Sequence, residues 1–211
     1  MLITYIGHSS FKLKGKDVTL LIDPYDPKIG KHFPKQNDVD LVLCTHKHSD
    51  HHYLDNISSE YYLIDNPGEY DVKTVSIWGI SSFHDKKEGA ERGLNTIYVI
   101  EMEGITFCHL GDLGDVLTDT QLETMGSVDV LFIPVGGKYT IDASEAAKVI
   151  AQIEPHIVVP MHYGNKELEL VDVSIFLKEM GVEEAPVKSL KVTADDFTGK
   201  EDDMSVVTFE S

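Results

Sequence analysis

The chain has 211 residues, ordinary apolar and charged fractions and a formal net charge of −18. That length suits one large domain, expected over residues 1–211, with enough chain for a substantial core. A pI near 4.8 repels phosphate backbones and argues against nucleic acid as a partner, and no apolar run approaches membrane-spanning length.

Residues 2–6, 10–13 and 18–22 read as short strands separated by turns at Gly7-His8 and Gly15-Lys16-Asp17. The opening heptad is too short and unflanked for a signal peptide. Asp23-Pro24-Tyr25-Asp26-Pro27 stops the third strand, and residues 28–38 are polar and irregular. Residues 39–44 form an apolar run that reads as a core strand. Residues 61–64 read as another strand, Asn66-Pro67-Gly68-Glu69 as a turn, and residues 72–80 as a strand extending towards His84. Residues 85–93 are charged, contain two glycines and read as an exposed loop. Residues 96–102 and 105–110 predict a hairpin. Thr118 to Gln121 and Asp142 to Glu145 are capping-box patterns that open helices, and Asp172 caps a third. Strands are expected at 128–133, 157–160, 192–193 and 206–209. Strands dominate the first half and alternate with helices in the second, which predicts a layered α/β or α+β domain. Cys44 and Cys108 make no disulfide framework and read as small buried side chains, which fits a reducing cytoplasm.

The chemistry concentrates in Thr45-His46-Lys47-His48-Ser49-Asp50-His51, directly after the core strand. Neutral imidazole nitrogens and carboxylate oxygens are ligands that zinc, manganese and iron accept. His46 and His48 are two apart, so in an extended loop they point the same way and share one ion. Asp50 and His51 are adjacent and point differently, towards a second ion. Downstream, His84, Gly111-Asp112 and His162 each fall just past a hydrophobic run.

The H-x-H-x-D-H stretch after a hydrophobic strand resembles the main metal motif of the metallo-β-lactamase-fold hydrolases. That resemblance implies an α+β fold, a four-layer αβ/βα sandwich of two facing sheets with helices outside and the metal site at one edge. It also implies two divalent ions, zinc foremost with Mn2+, Fe2+ or Ni2+ as alternatives. His84 would complete the first ion's set with His46 and His48. His162 would join Asp50 and His51 on the second, and Asp112 would bridge both. In such sites a shared water is activated as hydroxide, with Asp50 and Asp112 as the catalytic carboxylates that hold it. Gly7-His8-Ser9-Ser10-Phe11, Ile22-Asp23-Pro24, His109-Leu110-Gly111-Asp112 and Pro160-Met161-His162-Tyr163 are similar to the L-ascorbate-6-phosphate lactonase-like branch. The chain departs from that branch in the short path from His51 to His84. It also carries Lys138-Tyr139-Thr140 where many relatives have His or Asn before an aromatic residue and Thr.

The expected activity is hydrolysis of a small ester- or lactone-like molecule. A phosphodiesterase or nuclease with the same ions is the first alternative, although no basic run or nucleic-acid-grasping insert is present. A non-catalytic metal-binding protein is another. A redox role fits worst, because flavodiiron relatives place Glu where His48 stands. His8 and His109 have two readings, orienting a ligand or sitting as satisfied strand-end histidines. Lys138 either meets an anionic substrate or is a solvated loop lysine, and Tyr163 stands beside His162 as a further substrate candidate. His32, His52 and His156 read as surface or turn residues. A homo-oligomer is compatible with everything above.

Overall fold

The computed structural model describes residues 1–183, 185–199 and 204–210. Two sheets face each other. The first has the order β12-β1-β2-β3-β4-β5, built from β1 (Leu2–Gly7), β2 (Ser10–Lys14), β3 (Thr19–Ile22), β4 (Leu41–Leu43), β5 (Tyr62–Ile64) and β12 (Leu190–Lys191). The second runs β13-β11-β10-β9-β8-β7-β6, from β6 (Gly68–Val72), β7 (Val75–Phe83), β8 (Leu94–Met102), β9 (Ile105–His109), β10 (Val130–Pro134), β11 (Ile157–Met161) and β13 (Ser205–Val206). Three α-helices, α1 (Asp119–Met125), α2 (Ala143–Ile153) and α3 (Val173–Met180), and two single-turn 3-10 helices, Pro27–Ile29 and Ala194–Asp196, complete the regular elements among the described residues.

The layers follow from period-two burial on the strands. Leu20, Ile22, Leu41 and Leu43 point between the sheets and meet Tyr98, Phe107, Phe132 and Val159 from the other side. Phe11 and Phe132 pack across this layer as tilted rings with centroids 4.3 Å apart. The alternate residues Cys108, Leu131, Ile133 and Val158 face outward, where Ala146, Val149 and Ile150 of α2 and Phe176 and Leu177 of α3 cover them. The predicted caps are present. Thr118 and Asp142 each close a capping box, and the Asp172 carboxylate accepts from the Ser174 amide.

The expected sandwich is thus observed, with local differences. The outer face of the first sheet, Leu21, Val42 and Cys44, is covered by Tyr25, Ile29, Phe33 and Val39 from an irregular segment rather than by an α-helix. That segment has few helix-periodic apolar positions but enough bulky ones to seal the sheet. A second difference lies at residues 66–80. The sequence reads as a turn followed by one strand, whereas Gly68–Val72 and Val75–Phe83 pair as a hairpin with Val72 opposite Val75. Its two-residue loop holds Lys73 at φ 55, a conformation usually signalled by Asn or Gly, so the turn is silent in the sequence. The last strands are β12 and β13, slightly N-terminal to the stretches expected at 192–193 and 206–209. No helix among the described residues is long and apolar enough to cross a membrane.

Strand direction positions the site. β3, β4 and β5 run parallel, as do β9, β10 and β11. Their C-terminal ends deliver Asp23, Thr45-His46, Asp112 and His162, and open strand ends of this kind are where ligands gather in α/β architectures. Two bonds tie the sheets together there. The Thr96 amide donates to the Thr45 carbonyl at 2.9 Å, and the Tyr98 hydroxyl donates to the Cys44 carbonyl at 3.1 Å.

Candidate metal centre

The structure brings His46, His48, Asp50, His51, His84, Asp112 and His162 together, although up to 116 positions separate them in the chain (162 − 46). His46, His48 and His84 converge, as do His46, His51 and Asp112, with one ligand atom from each residue within 4.8 Å of the others in its group. The ring centroids of His46 lie 4.7 Å from His48 and 4.9 Å from His84. Asp112 sits between the two sides. Its Oδ2 is 3.1 Å from His84 Nε2 and 3.2 Å from His162 Nε2, and its Oδ1 is 3.2 Å from His51 Nε2.

A third group contains a residue that the sequence leaves undecided. His8 joins Asp50, His51 and His162 within the same 4.8 Å limit. Its Nε2 lies 3.3 Å from Asp50 Oδ2, and its ring centroid is 4.3 Å from that of His162. His8 and His162 take left-handed backbone angles of φ 55 and 56. The His162 amide donates to the His8 carbonyl at 2.9 Å, which locks the two strained residues to each other.

Around this inner ring lies a set of braces. Asp23 is fully buried at the end of β3. Its carboxylate accepts from the Thr45 amide and hydroxyl, both at 2.8 Å, and from His51 Nδ1 at 2.7 Å. The last contact turns His51 Nε2 inward. The Thr45 hydroxyl, having donated to Asp23, accepts from His46 Nδ1 at 3.0 Å and leaves His46 Nε2 facing the centre. Carboxylate and hydroxyl partners of this kind fix the tautomer of a ligating imidazole. Asn95 performs the equivalent task for Asp112. Its Oδ1 accepts the Asp112 amide at 2.9 Å while its Nδ2 donates to Ser82 and to the Leu110 carbonyl. Gly111, at φ +57, passes so close that an added Cβ would stand 2.3 Å from Asn95 Oδ1. His109 is a brace as well. Its Nδ1 accepts from the Gly111 amide at 3.1 Å, so its Nε2–H donates to the Ser9 carbonyl at 2.9 Å.

The sequence reading assigns no role to Asp23, Thr45 or Asn95. The available signal for Asp23 and Thr45 was their position, each just past the end of one of two strands that pair in parallel. Lys138 and Tyr163 are not brought to the centre. Lys138 pairs with Glu169, and both line a cavity other than that of His46 and His48, and Tyr163 is buried in the apolar layer beneath the helices.

The electrostatics suit a cation. Burial holds His8 down to about 4, with His162 adding to the effect, and burial likewise lowers His46 and His48. These rings are therefore neutral, with lone pairs available, at neutral pH. Burial pushes Asp112 up, but His162 and His51 outweigh it and hold the carboxylate well below its ordinary range. Burial also opposes charge on His51, yet Asp112 and Asp23 together raise it well above its usual value. Several buried polar atoms of these residues have no hydrogen-bond partner, among them Nε2 of His8, His46 and His51, and Oδ1 of Asp112. Buried polar atoms are ordinarily satisfied, so such a concentration fits a site for divalent metal with nitrogen and oxygen ligands.

Comparison with known proteins agrees with this geometry. The model of the beta-lactamase superfamily domain matches residues 2–162, more than half of the chain. A UPF0173 metal-dependent hydrolase of Pyrococcus furiosus is 31% identical over 218 aligned positions, covering 90% of this chain and 96% of that protein. The chain belongs to the UPF0173 family of the metallo-β-lactamase superfamily. The same fold is seen in a Thermotoga maritima protein assigned as a Zn-dependent hydrolase of the metallo-β-lactamase superfamily. It superposes with a TM-score of 0.80 at 36% identity, covering 99% of this chain and 97% of the other. Igni18, a metallo hydrolase from Ignicoccus hospitalis, shares the fold at 20% identity, with a TM-score of 0.67 and coverage of 91% and 99%.

For this UPF0173 member the braces predict a measurable effect. Asp23→Asn keeps the shape but removes the charge that orients His51, and metal affinity is expected to fall about 10- to 100-fold. Competition with a chromophoric chelator measures it, and wild-type affinity in the variant would show that Asp23 serves the strand ends alone.

Proposed function

We propose that this protein is a hydrolase that uses two divalent ions, zinc foremost, to cleave a small ester- or lactone-like substrate. The observation that carries the reading is the placement of Asp112, whose Oδ2 lies between His84 of one ligand set and His162 of the other, while its Oδ1 faces His51 of the second set. His46, His48 and His84 would hold one ion, Asp50, His51 and His162 the second, and Asp112 both. When bound, such ions supply Lewis acidity and make a shared water acidic enough to yield hydroxide near neutral pH.

The chain's own residues do the rest. Asp50 and Asp112 are held as carboxylates, so both balance cationic charge and accept a proton or hydrogen bond from the attacking water. Asp23, Thr45 and Asn95 fix the rings and the bridging carboxylate before substrate arrives, which removes reorganisation from the reaction. Beside His46 and His48 lies a cavity of about 400 Å³, a size suited to a small molecule. The motifs shared with the lactonase-like branch support a lactone or ester. The acidic chain supports a small-molecule partner over nucleic acid or a membrane, and the buried, unpaired Cys44 and Cys108 support a reducing cytoplasm.

His8 belongs in this reading as an additional holder of the second ion. His8→Gln is expected to weaken retention of that ion about tenfold or more while the first stays bound. Metal content after extended dialysis reads this directly, and two ions retained as in the wild type would remove His8 from the set.

The test of the function is metal analysis of protein purified without added metal, followed by a screen of sugar lactones, carboxylic esters and phosphodiesters. Two ions per chain are expected, with ester or lactone turnover lost on chelation and restored by zinc or manganese. Metal-loaded protein that cleaves phosphodiesters alone would replace this reading with the phosphodiesterase one. Loaded protein that turns over none of them would reduce it to metal binding.

A further inference from the structure

The chain contains a single arginine, Arg92, among 18 basic residues and 36 acidic ones. It lies in the loop after His84, which the sequence presents as an exposed charged stretch. The loop is built more firmly than that. Asp85 is buried, and its carboxylate accepts four backbone amides, those of Lys87 at 2.7 Å, Gly89 at 3.0 Å, Glu91 at 3.0 Å and Arg92 at 2.7 Å. The His84 amide closes the loop on the Gly93 carbonyl at 3.1 Å. The residue next to a proposed metal-holding histidine thus fixes the backbone of Arg92.

The guanidinium is placed with equal care. Its carbon sits 4.3 Å from the centroid of the Tyr139 ring, and Arg92 lines the same cavity as His46 and His48. Stacking uses the flat face of the group and leaves its N–H edge available. Among the described residues no carboxylate pairs with Arg92, although the chain is strongly acidic. The acid that shares its cavity, Asp65, is already engaged by Lys47 and by His52 at 3.2 Å. Neighbouring Glu91 pairs with Lys87 at 2.6 Å. Lys138, which the sequence leaves as either a substrate cation or a solvated loop lysine, lies 5.2 Å from the centroid of the same Tyr139 ring but is paired with Glu169.

We infer that Arg92 is the anchor for an anionic group on the substrate, a carboxylate or a phosphate, held by the N–H edge of the guanidinium while the scissile bond lies towards His46 and His48. The two oxygens of a carboxylate, or two of those of a phosphate, match that donor fork in a two-point contact, which a lysine does not reproduce. The inference rests on the hydrolase reading for the position of the scissile bond, and it narrows the substrate to an ester or lactone carrying a separate negative charge.

Because Arg92 is the sole arginine, phenylglyoxal adducts located by peptide mapping on an arginine report on it alone. Metal-loaded protein is treated with the reagent in sodium chloride, and then at equal ionic strength in inorganic phosphate or in succinate. At least one oxyanion is expected to slow modification about fivefold or more, as a charge-assisted two-point contact would. Protection by phosphate alone indicates a phosphorylated substrate, and protection by succinate alone a carboxylated one. Equal rates in all three salts overturn the inference.

The second arm compares a monoanionic ester with its neutral isostere. Arg92→Gln is expected to lower the preference for the anionic ester, as a ratio of kcat/KM values, about tenfold or more, with Arg92→Lys restoring part of it. An unchanged preference in Arg92→Gln also overturns the inference. If the wild type hydrolyses neither ester and no lactone of the screen above, the ester-or-lactone reading fails, and the protection experiment alone decides the role of Arg92.

Discussion

Asp112→Asn is expected to lower kcat/KM at least about 10³-fold and to empty one or both ion positions in the same step, since both Lewis acidity and preorganised charge go with it. The substitution preserves volume, so packing is not the cause. Asp112 is almost fully buried, with three imidazole nitrogens between 3.1 and 3.2 Å from its oxygens. One carboxylate therefore supplies negative charge to both halves of the centre. An amide keeps one acceptor oxygen but carries no negative charge and turns an NH2 group, which offers no lone pair, towards one of the positions an ion would take. Asn95 still accepts the residue-112 amide at its Oδ1, so the backbone is expected to stay in place. Metal content, turnover and the unfolding midpoint measured on one preparation separate these effects. A variant that keeps two ions and wild-type turnover would show that Asp112 does not join the two halves.

The contrast between Asp112 and Asp23 marks how far the sequence could be read. His46, His48, Asp50 and His51 are legible because they crowd into six positions after an apolar strand. His84, Asp112 and His162 become legible only through the order of ligands in a familiar family, since a lone His or Asp past a strand end is common. Asn95 is silent, and Asp23 shows only as a strand-end residue in a shared motif, with nothing to give its role. Their roles arise from pairings between β3 and β4, and from β8 and β9 lying side by side, which no local pattern encodes. His8 falls between, flagged by its turn but placed only once β1 and β2 are laid beside β11. The strands and capped helices were legible because alternation and capping boxes are local signals. The 68–83 hairpin was not, because its loop forces Lys73 into a left-handed conformation that its side chain does not advertise. Arg92 was hidden for the opposite reason, in a charged loop whose single buried carboxylate, Asp85, gives it a defined shape.

Stripping the metal with a strong chelator is expected to lower the thermal midpoint by about 10 °C or more at neutral pH. An ion bound at roughly a thousand times its Kd adds about 4 kcal/mol to the folded state. For a chain of this size each kcal/mol moves the midpoint by about 2–4 °C. The structural reason is the set of buried nitrogens and oxygens that face the centre without partners, because folding without a cation must desolvate them uncompensated. The gap should narrow as the pH falls, and the sign follows from His51. In the stripped protein Asp112 and Asp23 raise its pKa above the unfolded value. Its charged form therefore contributes stability fully below the unfolded pKa, and that contribution fades as pH rises through the folded one. The loaded protein needs the same ring neutral, so acid favours the stripped form while protons compete for the ligands. Both effects act in one direction. Calorimetric scans of loaded and stripped protein at several pH values between about 5 and 8 span the range where a histidine exchanges its proton. A gap that stayed constant, or widened in acid, would mean that His51 keeps its proton when metal binds, and His51 would then be no ligand.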